Sequence, residues 1–411
     1  MHNLRAGICK IDITPPIGIC QAGFGSRKGM PSIGIYDELY AKILVLERGK
    51  VRTAIVTTDT LGLDTELTSK IKKLIYRQTG IKDVLLSGSH THSGPLIGPA
   101  WHMKSAKKDF AYIDILSRQI AGAVYAASNN MTAVRVKSGT GYAKIGINRR
   151  PVDKDGKVRK MGRNPRGVID TDVPILVLER TDGNVLALLL TYACHAVTAG
   201  DSFYISADYP GYTQRLVENK LDCNVLFTQG AGANINPIGF PSKTPFRLAE
   251  TLGEKLGRAV LLTLKKIKKY KINPCLMVTS KKILIPLREE LFSEKVPVYL
   301  RGLREENVQR IKGKEFSYEI YVMRIGNCLF VGLEGEVLVE IGLEIKQKVF
   351  ARHKGIKNVS IIGYAGNTSY YLSVPKTFEE GGYEYKESLL AKEASNMIIN
   401  SVLRIVGNMW K

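Results

Sequence analysis

At 411 residues, 44% hydrophobic and 24% charged, the chain has the composition of a globular protein able to bury a large core, which excludes disordered and fibrous classes. Its formal net charge of +22 favours anionic partners such as acidic lipid headgroups. The cations are spread widely and no nucleic-acid motif accompanies them, so nucleic acid is not expected as a partner.

The residues from Met1 lack the pattern of a secretory signal and run straight into a strand-like segment and the turn at Pro15-Pro16. A β-hairpin follows, Ile43–Gly49 and Thr53–Asp59, and then a helix over 64–79. The apolar strand Val84–Gly88 delivers His90 and His92, and the next helix spans 107–128. Residues 149–167, rich in Arg, Lys, Asp, Gly and Pro, read as a long ordered loop near the site. A second hairpin, Ile175–Thr181 and Val185–His195, turns at Asp182-Gly183; a helix over 209–220 comes next. The strand Val225–Thr228 leads into a glycine-rich turn, Gln229–Pro237, and then a helix over 244–269. Its end carries the densest basic run, 265–271, which suits the helix dipole or an anion- or membrane-facing patch. A third hairpin, Ile320–Ile325 and Cys328–Glu336, precedes helices over 337–350 and 386–406. Strands alternating with helices, with hairpins among them, predict an α/β fold of mixed β-sheets covered by α-helices. No Gly/Ser linker divides the chain, so residues 1–411 are expected to form one catalytic domain.

No apolar run approaches the ~18–20 residues of a membrane span. The six cysteines, at 9, 20, 194, 223, 275 and 328, contain no Cys-x-x-Cys pair. Reduced thiols and a cytoplasmic location are the expectation.

Each hairpin's second strand ends at a group able to bind a metal or a proton: Asp59, His195 or Glu336. The densest signal is Ser89–Pro95, where two of only six histidines stand two residues apart. His-x-His just past a strand lets one imidazole reach a metal while the other serves as ligand or proton carrier. With His195 and Glu336, two histidines and a carboxylate make a catalytic zinc set with an open position for water. The turn Gln229–Pro237 lacks the Gly-Lys-Ser/Thr ending of a phosphate-binding loop and is expected to present backbone amides or to contact substrate. Tyr364, Tyr370, Tyr371, Tyr383 and Tyr385 crowd one segment, packing on a core or reaching the site with their hydroxyls.

These motifs, together with Ile11–Pro16, Gly34–Asp37, Asn148-Arg149-Arg150 and Tyr371–Glu384, occur in the order of the neutral ceramidases, which the chain resembles over nearly its whole length. The resemblance implies zinc ligands at His90, His195, Glu336 and Tyr371. It implies proton handling and contact with the substrate amide at His92, Arg149 and Tyr383. Ala233-Asn234 stands where the family has Gly-Asp. The chain looks like the short stand-alone homologues, without the immunoglobulin-like C-terminal domain of the better-known ceramidases.

The resemblance therefore implies a zinc-dependent hydrolase that cleaves an amide bond of an N-acylated substrate, a ceramide-like lipid or a related N-acyl amine, with metal-activated water. The basic excess suits peripheral contact with an anionic membrane. The alternatives are a deacylase of small soluble N-acyl compounds such as amino sugars or peptides, and a non-catalytic binding homologue. Hairpins rather than repeated βαβ units argue against a (β/α)8-barrel amidohydrolase.

Overall fold

In the computed structural model, residues 3–98, 105–267 and 274–410 are described, so the basic run lies outside the described residues from Lys268 on to Lys271. The large sheet contains β1 (Arg5–Asp12), β2 (Tyr40–Arg48), β3 (Val51–Thr58), β4 (Asp83–Gly88), β5 (Thr132–Tyr142), β6 (Asp172–Arg180), β7 (Val185–Tyr192) and β8 (Asn224–Gln229). Its spatial order is β8-β7-β6-β5-β1-β2-β3-β4. Only β7–β8 and β3–β4 are parallel, so the sheet is mixed. A smaller sheet runs β9 (Leu276–Pro286), β10 (Glu315–Ile325), β11 (Cys328–Leu333), β12 (Asn358–Ile362), with β11–β12 parallel and Ile311–Lys312 beside β10.

The three expected hairpins are β2–β3, β6–β7 and β10–β11, each antiparallel. Their strands are apolar on both faces because both faces are covered. Side chains alternate across a strand, so Ile43 and Val45 enter the core beneath α1 (Thr65–Thr79) and α2 (Phe110–Asn129). Leu44 and Leu46 enter the core shared with the smaller sheet, where Tyr321, Met323 and Phe330 meet them. Ile175 and Val177 pack with residues of α3 (Asp208–Leu221) and α4 (Pro245–Lys266). Ile320 and Val322 pack with α5 (Val298–Asn307), α6 (Val339–Arg352) and the C-terminal helix Ala394–Met409. The layers are helix, sheet, sheet, helix.

α1 and α2 begin where the Asp64 and Asp109 side chains accept from Leu67 N and Tyr112 N. Two expectations are corrected. The helix expected over 386–406 begins only at Ala394. The preceding Leu389 and Leu390 are apolar because they fill the smaller sheet's core, with Leu390 bridging Leu287 and Ala391 N donating to Pro286 O at 2.9 Å. Helix α5 was not expected, although its buried Leu300, Leu303 and Asn307 recur at helical spacing. No described helix is long and apolar enough to cross a membrane, and no disulfide joins any of the six cysteines.

Candidate metal centre

The site lies just past the ends of β3, β4, β7, β8 and β11, where very short ladders replace the sheets. Thr91 and Ala196 form a parallel bridge, and His92 N donates to Ala196 O at 3.0 Å, setting the His-x-His beside His195. His195 N donates to Ile235 O at 2.9 Å, and Arg149 N to Asn234 O at 2.8 Å, so the turn after β8 carries both segments. On the other side Glu336-Val337 pairs in parallel with Tyr371-Leu372, which puts Glu336 directly opposite Tyr371. His90 and Tyr364 hold left-handed backbone at φ 63° and 56°, rare for side-chain-bearing residues, and their rings lie 4.1 Å apart.

These constraints converge three donors. His90 Nε2 is 3.5 Å and His195 Nε2 3.3 Å from the same Glu336 oxygen. Bonds of about 2.0–2.2 Å in a tetrahedral zinc site separate neighbouring ligand atoms by roughly 3.3 Å, so the spacing fits a metal ion. The other ring nitrogens are committed: His90 Nδ1 to Leu61 O at 2.7 Å and His195 Nδ1 to Gly232 O at 3.0 Å. That fixes the tautomer leaving each Nε2 lone pair for a metal. His92 stands as close, its Nε2 3.2 Å from His90 Nε2, and the three histidines alone form a group that could hold an ion. Its Nδ1 is buried without a partner among the described residues.

Electrostatics agree. Burial alone would raise the Glu336 carboxyl, but His90 and His195 hold it well below the usual carboxylate range. Burial, reinforced by Arg149, lowers His195 to about 4. Burial, then His90 and His195, pushes His92 well below its ordinary value. The His92 and His195 imidazoles are therefore neutral near pH 7, the form that ligates or accepts a proton.

Arg149 is buried yet stays protonated, because Tyr371, Glu384 and Glu336 outweigh its desolvation. Its Nε meets Glu384 at 2.9 Å, Nη2 meets the Tyr371 hydroxyl at 3.0 Å, and Nη1 lies 3.2 Å from His195 Nε2. That last contact uses the lone pair a metal would take, so guanidinium and ion compete for it. Tyr383, whose ring is 5.5 Å from that of Tyr371, is 37% exposed and stands at the mouth. All seven expected site residues, His90, His92, Arg149, His195, Glu336, Tyr371 and Tyr383, thus surround one point.

Other expectations are corrected. Asp59 belongs to a buried network instead, accepting from Tyr40 N and Gln214 Nε2. The glycine-rich turn is buried rather than presented to substrate, and it supports His195 through Gly232 O. Asn234 accepts from Val339 N at the start of α6 and donates to Glu340, a use of its amide that a carboxylate would not serve. Tyr370 packs edge-on against Phe316, and Tyr385 lies over Arg288, both outside the site.

Three site residues were missed, and of the crowded tyrosines Tyr364 also joins the site. Tyr364 reaches Glu336 at 3.5 Å. Arg27 holds the His92 carbonyl at 2.7 Å and, buried among carbonyls, is lowered to about 10. Glu384 bridges Arg149 and Arg150. Glu387, buried between the two tyrosines by Tyr371 N–Glu387 O and Glu387 N–Tyr383 O bonds, is pushed up to about 8 by burial and by Glu336. Glu384 closes the motif Tyr371–Glu384 but was given no role there; Arg27 and Glu387 carried no motif.

Residues 4–233, more than half the chain, match the family model described as neutral/alkaline non-lysosomal ceramidase, N-terminal. The chain belongs to that family. Neutral ceramidase B of Dictyostelium discoideum is 26% identical over 201 residues, which span 46% of this chain and 27% of that protein. The chain therefore matches only about a quarter of that curated relative's length. The neutral ceramidase from Pseudomonas aeruginosa superposes with a TM-score of 0.79 at 19% identity, over 98% of this chain and 73% of that one. A ceramidase complexed with C2 gives 0.78 at 19% identity, over 97% and 74%. At such identity the likeness is one of fold, and the mixed two-sheet architecture is that of the neutral ceramidases.

Proposed function

We propose that this chain is a metal-dependent hydrolase that cleaves the amide bond of an N-acyl lipid of the ceramide type, residues 1–411 acting as one catalytic unit. Membership of the ceramidase family supports the reaction class. The observation that carries the metal centre is the convergence of His90 Nε2, His195 Nε2 and Glu336 at 3.3–3.5 Å, with both Nδ1 atoms already bonded.

His90, His195 and Glu336 would hold the ion, with Tyr371, opposite Glu336, as a further ligand. A bound zinc would supply Lewis acidity and lower the pKa of water towards ~7. Arg149, locked by Glu384, and the Tyr383 phenol at the mouth donate hydrogen bonds to the amide oxygen as charge develops on it. Losing one such donor costs about 3–4 kcal/mol. Neutral His92 accepts a proton at a ring nitrogen and returns it to the departing amine. The basic excess of the chain suits a peripheral encounter with an anionic membrane.

A second reading is a deacylase of soluble N-acyl compounds. Glu387 favours it, since its carboxyl, pushed up to about 8 by burial and by Glu336 and bonded through its backbone to Tyr371 and Tyr383, would meet a polar amine headgroup there.

Elemental analysis of purified protein, beside an assay with long- and short-chain N-acyl substrates, tests the proposal. We expect about one zinc per chain, lost with activity in His195→Ala. His92→Ala should keep the metal and lose roughly 100- to 10,000-fold in rate. No metal after zinc is offered would overturn the centre; full activity in His92→Ala would overturn its role. Turnover of short, polar substrates alone would transfer the proposal to the soluble deacylase.

A further inference from the structure

Single exposed apolar side chains are ordinary, whereas a contiguous set beside a site calls for a partner. Ile17, Met30, Ile33, Ile35, Tyr36 and Tyr204 are each between 41% and 62% exposed. They come from three segments locked edge to edge. Gly18 N donates to Ser32 O at 3.1 Å and Ser32 N to Ile19 O at 2.8 Å. Ile33 N donates to Phe203 O at 2.9 Å, and Gly34-Ile35 pairs in parallel with Tyr204-Ile205. The Tyr204 ring covers Gly34 so closely that an added Cβ would meet it at 2.7 Å. Tyr36 stacks on Phe246 at 3.8 Å, and Phe246 meets Tyr204 edge-on at 6.3 Å. The patch is a built surface.

The chain that follows Ile19 continues from it into a wall of the metal centre. Ala22 N donates to Gly94 O at 3.0 Å, Gln21 bridges Pro95, and the Phe24 ring stands 5.1 Å from that of His92. Cations fringe it. Lys28 lies within the first segment; Gly29 abuts Ser105 and Ala106, which lead to Lys107; Lys243 and Arg247 bracket Phe246. All four are exposed, and none is paired with a carboxylate among the described residues. Nearby acids include Asp37, already paired with Arg215, Asp201, bonded to Ser26, Asp109, which caps α2, and the exposed Glu38 and Glu250.

We propose that this apolar rim with its fringe of cations seats the protein on an anionic phospholipid surface, opening the metal centre towards substrate held in the bilayer. Tyrosine and aliphatic side chains at the headgroup boundary, ringed by lysine and arginine, are the chemistry of peripheral attachment. The net charge of +22 draws the chain to such a surface. The substrate clause rests on the N-acyl lipid reading; the attachment does not.

Co-sedimentation of the full zinc-loaded chain with phosphatidylcholine vesicles, with and without phosphatidylglycerol, tests the attachment. Binding should require phosphatidylglycerol and weaken with salt. Ile33→Ser/Ile35→Ser and Lys243→Glu/Arg247→Glu should each weaken it roughly tenfold, while hydrolysis of a water-soluble short-chain N-acyl substrate stays unchanged. Wild-type protein that ignores anionic vesicles, or variants that bind as wild type, would overturn the inference. So would concentration-dependent self-association in ultracentrifugation that the same serine variant abolishes, which would give the face to a second copy. Vesicle binding without hydrolysis of any N-acyl substrate would leave the attachment standing and remove the proposed reaction instead.

Discussion

Glu384 meets two guanidinium groups at once, Arg149 at 2.9 Å and Arg150 at 2.5 Å, in a place without solvent access. Burial opposes its charge, yet the arginines, Arg149 foremost, hold its carboxyl below the ordinary range. Removing one partner of a buried ion pair strands the other, at a cost of about 3–5 kcal/mol. Glu384→Gln should therefore lose about that much stability in urea unfolding and most activity, since Arg149 loses its anchor. A variant within 1 kcal/mol of wild type would show that Glu384 does not hold the arginines. Asp208 behaves oppositely, being raised from 3.8 to about 6 by burial against the Thr198, Ala199 and Tyr209 donors. The folded protein keeps its proton where the unfolded chain has lost it, so this contribution falls as pH rises from about 4 to about 6, then levels. Two pKa units correspond to about 3 kcal/mol. The stability advantage of wild type over Asp208→Asn should shrink by up to that amount across the window. A gap that widens or stays flat would contradict the assignment.

Elements differ in how far they could be read ahead of the structure. The three hairpins were legible because apolar residues fill both faces and tight turns separate the runs, as in Ile175–Leu178 and Val185–Leu190. Leu389 and Leu390 misled because apolar spacing does not tell a helix face from a loop that fills a core. At the site, His90, His92 and His195 were visible as strand-end histidines. The ligand role of Tyr371 came only through family resemblance, because a two-residue ladder joining it to Glu336 leaves no periodic trace. The glycine turn was visible but its purpose was not, since that depends on what lies against it. A Cβ at Gly232 would stand 2.6 Å from Cys194 N and 2.7 Å from Ala193 C, backbone atoms that cannot yield cheaply. Gly232→Ala should cost about 1–3 kcal/mol by overpacking and draw the Gly232 carbonyl off His195 Nδ1. Loss of such an outer partner lowers metal affinity about 10- to 100-fold, which competition with a chromophoric chelator would measure. Unchanged affinity would mean that the turn does not orient His195.

Across the whole molecule, the donors come from both sheets. His90 follows β4 and His195 follows β7 of the large sheet, whereas Glu336 follows β11 of the smaller one and Tyr371 pairs with it. The sheets already share a core built on Leu44, Leu85, Tyr321 and Phe330, so an ion bound by all four would tie together halves that fold as one. A ligand that binds only the folded state stabilises it by about 2.7 kcal/mol at a hundred times its dissociation constant. Zinc should raise the urea midpoint of wild type by that order without changing the slope, because the surface exposed on unfolding is the same. His195→Ala should abolish the shift. Glu336→Ala decides between two donor sets, because His90, His92 and His195 alone also bring their ring nitrogens within 4.8 Å of one another. If the carboxylate is a ligand, the zinc shift disappears in Glu336→Ala although the three imidazoles remain. If it persists at full size, the ion is held by the histidines of the large sheet, and His92 must give up its role as proton carrier.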